Sequence, residues 1–157
     1  MSAIKALISS YARIKPLGKG YSDKDGGTQS GKRITGWDEG SGEVSVNNEV
    51  FNHMKATVPP ESSQVHCYEV VCKPLVEKWL DGYDIDLLTY GQTGSGKTYT
   101  MFGDDTKGDD IYSSGKVPPS AGIIPRVVHE LFSHVKKNRK KCTAVVSFMQ
   151  IYNEQIY

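Results

Sequence analysis

No stretch of this sequence is apolar over the roughly 18–20 residues that a membrane-spanning helix needs, so no membrane span is expected. Residues 1–10 carry one lysine and no long apolar core, which is not the pattern of a secretory leader. Cysteine is scarce. Cys67, Cys72 and Cys142 are odd in number and lack Cys-x-x-Cys spacing, which argues against a disulfide framework and a structural zinc site. Buried, reduced thiols are the better reading. No Asn-x-Ser/Thr acceptor occurs, in keeping with a cytoplasmic address. Charge of one sign is lacking too: 19 Lys+Arg oppose 18 Asp+Glu, a net charge of +1. That provides no whole-surface attraction to nucleic acid or anionic membrane, and neither partner is expected. With 38% hydrophobic and 24% charged residues, the composition is that of a globular protein, and 157 residues suit one domain.

Turn formers and periodicity divide the chain. Residues 8–17 contain few turn formers before Pro16 and predict a strand ending through Arg13, Ile14 and Lys15. A glycine-rich surface loop follows from Gly18 to Gly31, then strands over 33–37 and 43–46 around an Asp-Glu-Gly-Ser-Gly turn. Ser62 is the expected N-cap of a helix carrying Val65, Tyr68, Val71, Leu75, Val76, Trp79 and Leu80 at helical spacing. Pro74 should interrupt and kink that helix because it cannot donate to the carbonyl of Val70, and Gly82 should end it. A short strand is expected over 85–90, a polar loop over 103–122, and a last strand over 144–151. Between the last two, Ile124, Val127, Val128, Leu131, Phe132 and Val135 form a helical stripe, with Pro125 near its first turn. No internal repeat is present. The order of strands and helices is α/β.

Gly91-Gln92-Thr93-Gly94-Ser95-Gly96-Lys97-Thr98 satisfies G-x-x-x-x-G-K-[ST], preceded by the expected strand and followed by a possible helix. Glycines suit a backbone that must wrap a phosphate with converging N–H groups, and a helix start adds its positive end to the same anion. Lys97 would reach the β- and γ-phosphates and the Thr98 hydroxyl would be a Mg²⁺ ligand. Residues 26–33 repeat the glycine and lysine spacing but end in Arg33, which offers no hydroxyl to a metal, and polar residues precede them. They read as a plain loop. His129 and His134 are five apart, which sets them about 140° from each other on a helix rather than on one metal-binding face. The aspartates of the polar loop and the basic run Lys136-Lys137-Asn138-Arg139-Lys140-Lys141 read as solvated, the latter favourably charged at a helix C-terminus.

In its wider setting the loop resembles the kinesin motor domain. The string from Tyr90 to Met101 follows the kinesin version nearly letter for letter. Ser62-Ser63-Gln64, Tyr68, Lys73-Pro74-Leu75-Val76-Glu77 and Asp81-Gly82-Tyr83 match the helix that precedes the P-loop in that family. Gly122-Ile123-Ile124-Pro125-Arg126 and Ile151-Tyr152-Asn153-Glu154 match its Gly-Ile-Ile-Pro-Arg and Ile-Tyr-Asn-Glu segments. The resemblance implies a P-loop NTPase-type central sheet flanked by helices, incomplete here, with residues 1–157 forming part of a motor domain. Within it, 8–17 would be the adenine segment, with Arg13 and Pro16 at the base. Residues 91–98 would hold the phosphates, and the Tyr99 ring would pack on the base with Tyr68 nearby. ATP and Mg²⁺ are the implied cofactors, a microtubule (tubulin) the implied partner, and a cytoplasmic, cytoskeletal location is implied with them.

Three departures stand out. Lys15 replaces the second arginine of the adenine segment, Phe51-Asn52-His53-Met54-Lys55 replaces Phe-Asp-x-Val-Phe, and Asp84-Ile85-Asp86 replaces Asn-Gly-Thr. Two further motifs are missing from the sequence: the Asn-x-x-Ser-Ser-Arg loop and the Asp-Leu-Ala-Gly strand end, which in kinesins position water and sense the γ-phosphate. The catalytic set is therefore not complete in this chain. The expected behaviour is weak ATP·Mg²⁺ binding with negligible hydrolysis, as the nucleotide-binding half of a motor. A non-catalytic binding module derived from a motor and an unrelated P-loop kinase are the other readings.

Overall fold

The computed structural model describes residues 8–16, 34–47, 49–104, 116–138 and 143–157. The look-alike loop at 26–33, Cys142 and the interior of the polar loop lie outside the described residues. In chain order the strands are β1 (Tyr11–Arg13), β2 (Ile34–Asp38), β3 (Glu43–Val46), β4 (Glu49–Phe51), β5 (Ala56–Val58), β6 (Ile151–Tyr152) and β7 (Gln155–Ile156). The helices are α1 (Gln64–Cys67), α2 (Lys73–Leu80), α3 (Lys97–Met101) and α4 (Ile123–Asn138), with a π-helical turn, Tyr68–Cys72, between the first two.

β1 and β5 pair in parallel, Tyr11 opposite Ala56 and Arg13 opposite Val58. Backbone bonds from Ile14 to Val58 (3.0 Å) and from Lys55 to Ser10 (2.7 Å) extend the pair at both ends. Thr57 and Val58 are both fully buried, as expected of a parallel pair covered on two faces. Lys55, in the segment that departs from the family's aromatic pattern, is exposed and holds its ammonium 5.8 Å from the Tyr11 ring centre. Between these strands the chain makes an antiparallel meander, β2-β3-β4, whose first turn is tied by the Ser41 N–H donating to Asp38 Oδ1 at 2.6 Å.

The first helix begins one residue later than its sequence suggests. Ser62 is drawn into a turn by its N–H bond to Pro59 O, so Ser63 becomes the N-cap and its Oγ accepts from the His66 N–H at 3.1 Å. The interruption at Pro74 takes the form of the π turn. The Lys73 N–H reaches back to Tyr68 O, and Pro74 falls in the first turn of α2, where no N–H is needed. Gly82, with φ 99°, ends α2 as expected: its N–H bonds Trp79 O at 2.9 Å and the Tyr83 N–H bonds Lys78 O at 3.1 Å. Tyr68, Cys72, Val76 and Ile123 form the core between this helical run and α4.

Two expected strands do not pair among the described residues. Ile85 and Leu87 are half-buried, Leu87 against the helical core, but Asp86, Leu88 and Tyr90 are exposed and the backbone of 85–90 carries no ladder. Residues 144–149 are likewise without a ladder, Val145 and Phe148 being almost fully exposed. Apolar, β-branched composition makes such segments competent to pair, but a strand exists only with a neighbour to exchange hydrogen bonds with. The end of the second segment finds one locally. β6 and β7 close a hairpin over Asn153 (φ 48°) and Glu154 (φ 60°), with Gln150 and Tyr157 exchanging backbone bonds.

The Thr57 hydroxyl is buried without a hydrogen-bond partner among the described residues. Such a group costs about 1–3 kcal/mol. Thr57→Val keeps the shape and removes the unpaired oxygen, and is expected to stabilise the protein by about 1 kcal/mol. Paired urea melts check this; a less stable valine variant would mean that the hydroxyl has a partner.

Candidate functional site

Residues 91–96 form a loop that turns directly into α3, with the Ser95 N–H donating to Gln92 O at 3.2 Å. Gly94 and Gly96 have φ of 78° and 101°, and a Cβ added to either would meet nothing within 4 Å. The backbone conformation, rather than space, is what requires glycine there. Gly96 is the N-cap of α3 and supplies no side-chain bond, which leaves the first-turn N–H groups to solvent or to a ligand. Lys97 folds back over the loop, its Nζ donating to Gly91 O and Gln92 O, each at 2.8 Å. Thr98 is exposed beside it.

The amino-terminal strand meets this loop. Arg13, at the end of β1, holds its guanidinium 5.1 Å from the Tyr99 ring centre. Its Nη1 donates to Gln64 Oε1 and to Thr100 Oγ1, both at 3.0 Å. Gln64 is 3% exposed, and its Nε2 donates to Tyr99 O at 2.6 Å. The Thr100 hydroxyl in turn donates to Gly96 O at 3.0 Å. Lys15, the residue that departs from the family arginine, donates from Nζ to Gly94 O at 2.7 Å, and Pro16 follows it, exposed. The structure thus gathers Arg13 and residues 91–99 in one place. It adds Gln64 and Thr100, which in the sequence stand only within the strings that carry the family resemblance.

Tyr68 is elsewhere. It opens the π turn, is buried in the core, and donates its hydroxyl to Glu130 of α4. Arg126 is also structural here: its Nε bonds Ala121 O, and its Nη2 bonds Pro118 O and Pro119 O, at 2.9–3.1 Å, fastening the end of the polar loop to α4. At the loop's other end, the Gly122 N–H bonds Phe102 O at 2.9 Å and the Asp104 N–H bonds Ser120 O at 3.2 Å. Among the described residues no three His, Cys, Asp or Glu side chains stand together as a metal site, His129 and His134 included.

A glycine loop opening a helix, faced by a cation and an aromatic ring, is the P-loop arrangement of an α/β, NTPase-type fold. The family model described as the kinesin motor domain matches residues 19–157, and the chain belongs to that family. It is 40% identical over 97 residues to the kinesin-like protein Klp61F of Drosophila melanogaster, covering 62% of this chain and 9% of that one. To the kinesin-like protein KIN-12B of Oryza sativa subsp. japonica it is 34% identical over 157 residues, covering 95% and 13%. The crystal structure of the Drosophila kinesin family member Kin10/NOD with divalent manganese and ADP superposes with a TM-score of 0.67 at 27% identity. NOD in its nucleotide-free complex with the microtubule gives 0.64 at 25%. Both matches cover 95% of this chain and 46% of the NOD chain, so the chain spans under half of those solved chains. It spans about a tenth of the two curated relatives.

The core behind the site has its own titration. Burial, then the Glu130 hydrogen bond, holds the Tyr68 hydroxyl well above its ordinary range. Burial, then the Glu130 charge, pushes the Cys72 thiol up to about 11, and burial raises Cys67 as well. A folded-state pKa raised above the unfolded one stabilises fully below the unfolded value, near pH 9 for a thiol, and that stability is lost as pH rises through the folded value. Urea melts from pH 7 to pH 11 should therefore hold steady to about pH 9 and then weaken toward pH 11, more gently in Cys72→Ala. A stability that rises across that window would contradict these buried, neutral groups.

Proposed function

We propose that this chain is the ATP-cradling part of a kinesin microtubule motor. The observation that carries the reading is that Lys97 and Lys15 close on one glycine loop while the Arg13–Tyr99 pair stands on the helix it opens. Three cationic groups and uncapped first-turn N–H groups suit a polyphosphate, while a planar ring beside a guanidinium suits a purine.

The residues fit the phosphate chemistry. Lys97 now spends its donors on two neutral carbonyls, and exchanging them for phosphate oxygens gives stronger, charge-assisted bonds. Gly91, Gln92, Thr93, Gly94, Ser95 and Gly96 supply the wrapping backbone. Thr98 would supply a hydroxyl to Mg²⁺. When bound, the metal neutralises charge on the phosphates. Arg13 and Tyr99 would form the base side, with Pro16 assigned there by family resemblance alone.

Hydrolysis needs a group to position water and another to sense the γ-phosphate, and the two kinesin motifs that do so are missing from this sequence. The chain therefore binds ATP·Mg²⁺ and by itself turns it over negligibly. Microtubule-based movement at the cytoskeleton is the function of the motor to which such a part contributes, a reading supported by the likeness to NOD on the microtubule. In a calorimetric titration, Lys97→Ala should weaken ATP·Mg²⁺ binding by at least about 100-fold, the effect of losing a charged phosphate contact. Unchanged affinity would put the nucleotide elsewhere, and microtubule-stimulated turnover at motor rates from this chain would refute the inactivity.

A further inference from the structure

We propose that Gln64 and Thr100 are positioning residues for base recognition: a polar clamp that fixes the Arg13–Tyr99 platform and ties it to the phosphate loop. The inference rests on the reading of residues 91–98 as the nucleotide site. Among the described residues Gln64 is one of two buried polar residues, with Thr57, and unlike Thr57 it uses both ends of its side chain. Its oxygen accepts from the Arg13 guanidinium and its nitrogen donates to the Tyr99 carbonyl. One buried amide therefore sets both members of the platform, the cation through its side chain and the ring through its backbone.

The proton inventory closes. Arg13 Nη1 carries two hydrogens and gives one to Gln64 and one to Thr100. The Thr100 hydroxyl accepts that bond and spends its single proton on Gly96 O. A directed chain, Arg13 to Thr100 to Gly96, thus runs from the base side to the glycine whose φ of 101° opens α3. Because Arg13 is charged, these are the stronger class of hydrogen bond, and burial of Gln64 raises the cost of leaving its amide unpaired. The loop's own grip on phosphate, through backbone N–H groups and Lys97, does not pass through Gln64.

That division separates two ligands. ATP uses cradle and platform; inorganic tripolyphosphate uses the cradle alone. In titrations of the whole chain with Mg²⁺, Gln64→Met should weaken ATP about tenfold while tripolyphosphate stays within about twofold. Thr100→Val should do the same, since the Thr100 backbone N–H still bonds Gly96 O at 2.8 Å and keeps the cradle, and Thr100→Ser, which keeps the hydroxyl, should restore ATP affinity. A residue that merely holds the fold together would move both ligands alike, and would make Ser no better than Val. Equal loss of both ligands in Gln64→Met and Thr100→Val, or no loss in either, overturns the clamp. Lys97→Ala run alongside keeps the two readings apart. If it abolishes both ligands while Gln64→Met parallels it, the clamp alone falls; if it moves neither, the site itself is wrong.

Discussion

One guanidinium joins three distant parts of this chain. Arg13 lies at the end of the first strand, yet it bonds the first residue of α1 and the fourth of α3 and lies beside the ring of Tyr99. The parallel β1–β5 pair fixes where Arg13 stands, and the Ser63 cap fixes where Gln64 stands. Those two placements hold Tyr99 and Thr100 of α3 from the amino-terminal side. Removing the guanidinium would leave a buried amide and a hydroxyl without their donor, a cost in the larger class of single-residue effects.

The features legible in the sequence were those set by local chemistry. Gly82 had to be a left-handed cap, and it closes both bonds of that motif. The stripe from Ile123 had to be a helix, and the loop from Gly91 had to turn with positive φ into another. What was not legible depended on partners far away. Ser62 and Ser63 are equal as caps until a turn at Pro59 occupies one of them. Pro74 announces a break but not the widened turn that absorbs it. Tyr68 has a helical position that serves core or ligand equally well, and only the carboxylate of Glu130, 62 residues on, decides between them.

The strands expected at 85–90 and 144–151 mark the same boundary. Their composition is that of strands, and Leu87 docks on the helical core as a sheet residue would. Pairing, however, is a property of two segments, and no ladder forms there among the described residues. The loop that follows 85–90 nevertheless takes its left-handed glycines and its contact to Lys15, and α3 beyond it keeps its contacts to Arg13. The site is held from the side of β1 and α1.

Amide hydrogen exchange with and without Mg·ADP tests this most directly. Nucleotide held by cradle and platform together should slow exchange both in 91–101 and across 11–16 and 64–67, since Arg13 and Gln64 tie those segments to one ligand. Protection confined to 91–98, or appearing only in segments outside both groups, would contradict it.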